Sequence, residues 1–161
     1  MPPDSSFVAR PLASNRRVLC ASPGYLAKHG APEHPRDLAR FDCIVLGSAA
    51  GPANDWRFTR NGKVESYTVP LENARETNDG AVAREWAVHG YGIAMKSIWD
   101  IGADLRAGRL NILLPEWQSA EAPVHALYQR NRYMAPCVRA LLDFLIGRFA
   151  EESSHLDEYL S

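Results

Sequence analysis

Cysteine is scarce and unpaired in this chain. Cys20, Cys43 and Cys137 are its three cysteines, and they lie far apart. An odd number at that spacing excludes a disulfide frame and a zinc motif. It predicts three buried thiols in a reducing cytoplasm, with Cys43 and Cys137 on apolar faces. Long apolar runs are missing too. None approaches the roughly 20 residues a helix needs to cross a bilayer. Met1-Pro2-Pro3-Asp4-Ser5-Ser6 has neither the basic start nor the apolar centre of a signal peptide. Charge of one sign is absent: 18 Lys and Arg against 19 Asp and Glu leave a net −1. That argues against a nucleic-acid surface carried by this chain alone. There is no internal repeat and no low-complexity block.

Catalytic signatures are equally sparse. A serine nucleophile needs a strained elbow such as Gly-x-Ser-x-Gly, and Leu46-Gly47-Ser48-Ala49-Ala50-Gly51 lacks that spacing. His29, His34, His89, His125 and His155 form no i, i+4 metal pair and have no acidic cluster beside them. Gly90-Tyr91-Gly92 has no third glycine and follows a predicted helix, so it is a poor dinucleotide loop. Trp99 and Trp117 read most simply as core, and Arg16-Arg17 as a solvated strand start.

What is present is ordinary globular composition, 46% hydrophobic and 23% charged, in a length that suits one domain or two small lobes. The most informative stretch runs from Thr77 to Ser97. Asn78 or Asp79 caps a helix, Gly90 ends it through a left-handed turn, and Gly92 to Met95 is a compact apolar strand. Ser97 then caps a helix that Gly108 ends. Lys96 lies between that strand and that cap. A lone lysine there is either a bland solvated group or one that faces a cleft and pairs with an anion.

The remaining chain alternates strand and helix. Residues 1 to about 15 read as a loose lead-in. Arg17 to Ala21 is a strand, and Ser22-Pro23 opens a short helix that Gly30 closes. Cys43 to Leu46 is a buried strand, and Gly47 to Asn54 a loop. Asn61-Gly62 between two strand-like runs is a hairpin signal, because both turn positions need positive φ. Leu71 to Glu76 reads as extended. Leu110 to Leu114 and Val124 to Tyr128 are strands. Pro136 to Glu151 is a helix with Val138, Leu141, Leu142, Leu145, Ile146 and Phe149 on one face, and the polar tail from Glu152 is expected to fray. The alternation predicts an α/β fold with a largely parallel sheet, made mixed by the hairpin.

An ordered set of segments resembles the effector-binding region of LysR-type transcriptional regulators. It comprises Arg16-Arg17-Val18-Leu19-Cys20-Ala21-Ser22-Pro23-Gly24-Tyr25-Leu26, Pro35-Arg36-Asp37-Leu38, Asp42-Cys43-Ile44-Val45-Leu46, Trp56-Arg57-Phe58 and Asn78-Asp79-Gly80. It continues with Gly90-Tyr91-Gly92-Ile93-Ala94, Lys96-Ser97-Ile98-Trp99-Asp100, Gly108-Arg109-Leu110, Leu113-Leu114-Pro115, Val124-His125-Ala126-Leu127-Tyr128 and Val138 to Leu145. Together these span about residues 7 to 149.

The resemblance implies an α/β fold like type II periplasmic binding proteins, with a mixed sheet, one complete lobe and part of the second. Two strands would cross between the lobes, near Arg17 to Ala21 and Val124 to Tyr128. Residues 1–16 would be a remnant of lobe one, 17–123 lobe two, 124–151 the crossing strand and returning helix, and 152–161 a polar tail. The family's helix-turn-helix and first lobe-one elements would be missing, making this a C-terminal piece that senses a small organic acid or similar effector. DNA would be reached only through the missing N-terminal domain. No enzyme activity, cofactor, metal or membrane is implied. Effector contacts carried over are Ser22, Asn78, Asp79, Lys96 and Tyr128. The last helix's six apolar groups are each worth roughly 1.5–3 kcal/mol when buried, so a homodimer or higher oligomer is expected to cover them. The competing readings are a stand-alone solute-binding or dimer-partner protein and, behind it, a small α/β hydrolase.

Overall fold

A computed structural model describes residues 7–119, 121–129 and 134–160. They fall into two compact units, one formed by residues 1–16 and 121–161, the other by residues 17–120. The reading of Met1 to Ser6 lies outside the described residues.

In chain order the first half comprises β1 (Phe7–Ala13), β2 (Arg17–Ala21), α1 (Pro23–His29), a 3-10 turn (Pro35–Arg40), β3 (Cys43–Ser48), β4 (Gly51–Pro52), β5 (Asp55–Arg60) and β6 (Lys63–Thr68). A second 3-10 turn (Leu71–Asn73) follows, then β7 (Arg75–Thr77), α2 (Gly80–Val88), β8 (Ile93–Ser97), α3 (Ile98–Arg106), β9 (Asn111–Leu113) and β10 (Gln118–Ser119). The chain ends with β11 (Val124–Gln129), α4 (Pro136–Ser153) and α5 (Asp157–Leu160).

The unit of residues 17–120 is organised on a six-stranded sheet in the order β4-β3-β8-β2-β9, with β7 also paired to β3. Successive residues of a strand point to opposite faces, and here both faces are buried. Leu19, Ala21, Cys43, Val45 and Ile93 join one cluster with Tyr25, Trp56, Phe58 and Trp117. Their neighbours Cys20, Ile44 and Ala94 join a second cluster with Ala83 and Ala87 of α2 and Ile101 of α3. The alanines at i and i+4 let α2 lie close to the sheet. A second sheet, β10-β5-β6, turns Trp56 and Phe58 inward.

The hairpin lies where the Asn-Gly pair put it. Arg60 pairs with Lys63, and Asn61 and Gly62 have φ of 51° and 77°. The helix ends also follow the sequence. Gly30, Gly90 and Gly108 all have positive φ. Tyr91 N–H reaches Trp86 C=O at 2.9 Å and Gly90 N–H reaches Ala87 C=O at 3.1 Å, so orphan carbonyls at the end of α2 are satisfied.

The central sheet is mixed, but less parallel than the alternation suggested. β3 is parallel to β7 and β8, whereas β2 is antiparallel to both β8 and β9, and β4 is antiparallel to β3. Helix-strand alternation does not fix strand direction when β2 enters the sheet from the opposite end. Within the expected loop of residues 47–54, β4 pairs with β3. The expected extended run from Leu71 instead makes a 3-10 turn before β7 begins at Arg75.

In the other unit the expected lead-in is a strand. β1 pairs antiparallel with β11 from Phe7↔Gln129 to Ala13↔Val124, with an irregularity between Pro11 and Ala13. Pro11 lacks a donor, which hid a strand that needs only one partner. α4 packs against β1. The tail is not frayed from Glu152: α4 runs to Ser153, and Leu156 is buried. The apolar face of α4 is partly open, with Leu145, Ile146 and Phe149 half-buried. Leu142 is buried, whereas Val138, Leu141 and Phe144 are exposed, as are Phe7 and Leu127 on the two strands. Cys137 is exposed on the first turn of α4, contrary to the core position expected for it. The apolar stripe that suggested burial is itself uncovered there.

Candidate functional site

Parallel pairing aligns strand ends, and β3, β7 and β8 all finish at one edge, at Ser48, Thr77 and Ser97. α2 starts directly after β7 and α3 directly after β8, so two helix N-termini open on the same edge. Unpaired N–H groups and the helix dipole make such an edge attractive to anions, and α/β sheets bind ligands outside the carboxyl ends of their strands.

The polar groups here divide their work. Asp79 is the cap of α2: its Oδ1 accepts from Ala81 N–H at 2.8 Å and Val82 N–H at 3.3 Å. Thr77 Oγ1 accepts from Asp79 N–H at 3.1 Å and fixes the approach. With Asp79 as the cap, Asn78 is left over. Its side chain is exposed and has no hydrogen-bond partner among the described residues. Lys96 is buried, 6% exposed. Its Nζ donates to Gly80 C=O at 2.7 Å and pairs with the Asp100 carboxylate in the first turn of α3. It thereby links the starts of α2 and α3, and it is neither solvated nor free.

Asn78, Asp79 and Lys96 are therefore brought together. Ser22 is not. The β2–β8 ladder runs from Arg17↔Ser97 to Cys20↔Ala94 and places Lys96 opposite Val18. Ser22 lies past the far end of that ladder, where it caps α1 by accepting from Tyr25 N–H at 3.2 Å. Tyr128 belongs to the other unit, on β11, paired with Val8 and half-buried.

One ionic cluster was not visible in the sequence. Asp104 is fully buried on α3. It accepts from Arg84 Nε at 2.6 Å, Arg84 Nη2 at 2.7 Å and Arg109 Nε at 2.7 Å. Burial alone would push this carboxyl up. The hydrogen bonds from the two guanidiniums outweigh it and hold the group below the usual carboxylate range. Arg84 is raised in turn by the same carboxylate. The three residues share no periodicity or motif spacing, so nothing in the sequence marks them.

Two of the three thiols, Cys20 and Cys43, are buried and poor nucleophiles. Burial pushes Cys20 and Cys43 up to about 12. Ser48 Oγ donates to Gly51 C=O at 2.9 Å and accepts from Ala50 N–H at 3.2 Å, which spends it on its own turn. No group of three or more His, Cys, Asp or Glu side chains among the described residues could hold a metal ion. No helix there is long and apolar enough to cross a membrane.

The family described as LysR substrate binding domain matches residues 1–150. The chain belongs to this family. Similar LysR relatives include the HTH-type transcriptional regulator DmlR of Escherichia coli, 36% identical over 146 residues, covering 91% of this chain and 47% of that protein. The HTH-type transcriptional activator TtdR of the same species is 32% identical over 152 residues, covering 94% of this chain and 48% of that one. The chain thus spans about half the length of the curated relatives it matches. The fold is similar to the regulatory domain of CrgA, a LysR-type transcriptional regulator of Neisseria meningitidis. There the TM-score is 0.78 at 30% identity, over 92% of this chain and 72% of that domain. The LysR substrate-binding domain is a regulatory, effector-sensing module, and these relatives are transcriptional regulators rather than enzymes.

Proposed function

We propose that this LysR domain senses a small organic acid at the carboxyl edge of β3, β7 and β8, and that it serves a bacterial regulator which binds DNA through an N-terminal helix-turn-helix. The observation that carries the reading is the free, exposed amide of Asn78 at an edge where two helices begin. Asn78 would donate to a carboxylate. Asp79 and Lys96 would hold the frame of that contact, Asp79 as cap and Lys96 as the tie between the two helix starts. Tyr128 is a further effector contact on the strength of the family resemblance. Ser22, away from this edge, would act through the local structure of α1.

In this reading residues 17–123 are lobe two, 1–16 and 124–151 belong to lobe one, and 152–161 form the tail. The regulator works in the cytoplasm, without catalysis. The open face of α4, with Phe7 and Leu127 in the same unit, supports a homodimer or higher oligomer.

The reading is tested by thermal-shift screening of aliphatic and aromatic acids against the chain, since a ligand that binds only the folded state raises its midpoint. For any acid that stabilises, Asn78→Ala should weaken binding about tenfold, the loss of one hydrogen bond to a charged group. An unchanged affinity would remove Asn78 and with it the proposed edge.

A further inference from the structure

A second place on the same unit, apart from the carboxyl edge, has the chemistry of an anion site. A cavity of about 320 Å³ lies between α1 and the end of α2, bounded by Ser22, Tyr25, Lys28, His89, Gly90 and Arg109. Its size is at the small end of ligand pockets. Among the described residues no carboxylate lines it, whereas Lys28 and Arg109 do.

Three observations fit an oxyanion. Lys28 is exposed on the last turn of α1 and has no ion-pair partner among the described residues. Arg109 is held by Asp104 through Nε and Nη2, both at 2.7 Å, which fixes the guanidinium while leaving its side chain about half exposed. Arg84 shares that same carboxylate and has Glu85 as a second partner, so the two arginines face two carboxylates and the unmatched positive charge here is that of Lys28. Glu85 is engaged with Arg84 at 2.8 Å and with His89. Finally, Ser22 is 6% exposed, and its Oγ accepts from Tyr25 N–H. Its hydroxyl proton has no acceptor among the described residues. Gly90 leaves this hydroxyl uncovered: a Cβ there would stand 3.2 Å from Ser22 Oγ. The Tyr25 hydroxyl does not compete, since it is bonded to Asp42.

We propose that this cavity binds a small oxyanion, a carboxylate or phosphate compound, between the Lys28 ammonium, the fixed Arg109 guanidinium and the Ser22 hydroxyl. The site is independent of the Asn78 edge, and an anion held here would brace α1 against the α2 terminus.

The test is an amide NMR titration of the full chain with sodium phosphate and, separately, sodium succinate, at ionic strength held constant with sodium chloride. Saturable shifts should centre on Ser22, the α1 amides, Gly90 and Arg109. Lys28→Ala should weaken binding about tenfold, while Lys63→Ala, at a lysine that pairs with Glu65 and does not line the cavity, should leave it unchanged. Saturation by phosphate alone assigns a phosphate compound, by succinate alone a carboxylate, and by both a general oxyanion site. Shifts that never saturate, or an affinity insensitive to Lys28→Ala, would overturn the proposal. Saturable shifts confined to Asn78–Ala81 would overturn it too, while leaving the carboxyl-edge reading intact.

Discussion

Replacing Asp104 with alanine removes the one carboxylate that ties α2, α3 and the start of the β9 segment together. Four guanidinium nitrogens lie 2.6–2.7 Å from it. Breaking a buried ion pair costs about 3–5 kcal/mol. The arginines moderate this, because Arg84 and Arg109 are 26% and 48% exposed and regain water when abandoned. The lower end, about 3 kcal/mol, is therefore expected. With a urea slope of about 1–3 kcal/mol per molar, the midpoint should fall by roughly 1–3 M. Trp56, Trp86, Trp99 and Trp117 all lie within residues 17–120, so tryptophan fluorescence follows that unit alone. Acid provides a second arm. The folded Asp104 carboxyl lies below its unfolded value of about 3.9. Its stabilisation is therefore complete above that pH and disappears as pH falls through the lower folded value. The wild-type midpoint should drop from about pH 4 downward more steeply than the variant's. A urea midpoint that moves by no more than a surface substitution allows, about 0.5 kcal/mol, would refute the reasoning.

Three further outcomes are expected. With a thiol reagent such as DTNB, Cys137 should react at once, whereas Cys20 and Cys43, pushed up to about 12, should wait for unfolding; three equally fast thiols would contradict this burial. Gly92→Ala should lower the thermal midpoint sharply, because φ is 149° and the new Cβ would stand 2.6 Å from Asp42 C=O; an unchanged midpoint would place that backbone elsewhere. Leu141→Asp with Phe144→Ser should move the chain toward monomer in gel filtration, and a wild-type chain that already elutes as a stable monomer at low concentration would end the oligomer proposal.

What the sequence made legible was whatever local chemistry dictates. Asn61-Gly62 announced its hairpin because few other pairs accept positive φ twice. Gly90 and Gly108 marked helix ends for the same reason. The strand cores showed because buried runs such as Cys43 to Leu46 leave little else to be. The losses were non-local. β1 went unseen because Pro11 interrupts it and its partner lies at the other end of the chain. The direction of β2 depends on where the sheet receives it, not on its composition. At the candidate site, the stretch around Asn78 was recognisable, but which residue caps α2 was decided only by geometry. Lys96 looked available in the sequence and proved to be engaged by Gly80 and Asp100. Arg84, Asp104 and Arg109 meet only once two helices have packed.

The pairing of β1 with β11 has a kinetic consequence. Asn15 bonds to Ala122 across 107 positions of chain, so the ribbon closes a very long loop, and each doubling of an open loop adds about 0.6 kcal/mol to its closure. Ser119 Oγ donates to Arg17 C=O, which joins the two ends of the intervening unit. Once that unit has collapsed, its ends emerge side by side and the effective loop shrinks to a short bridge. β1 must therefore wait, unpaired, until the intervening unit and β11 have followed it.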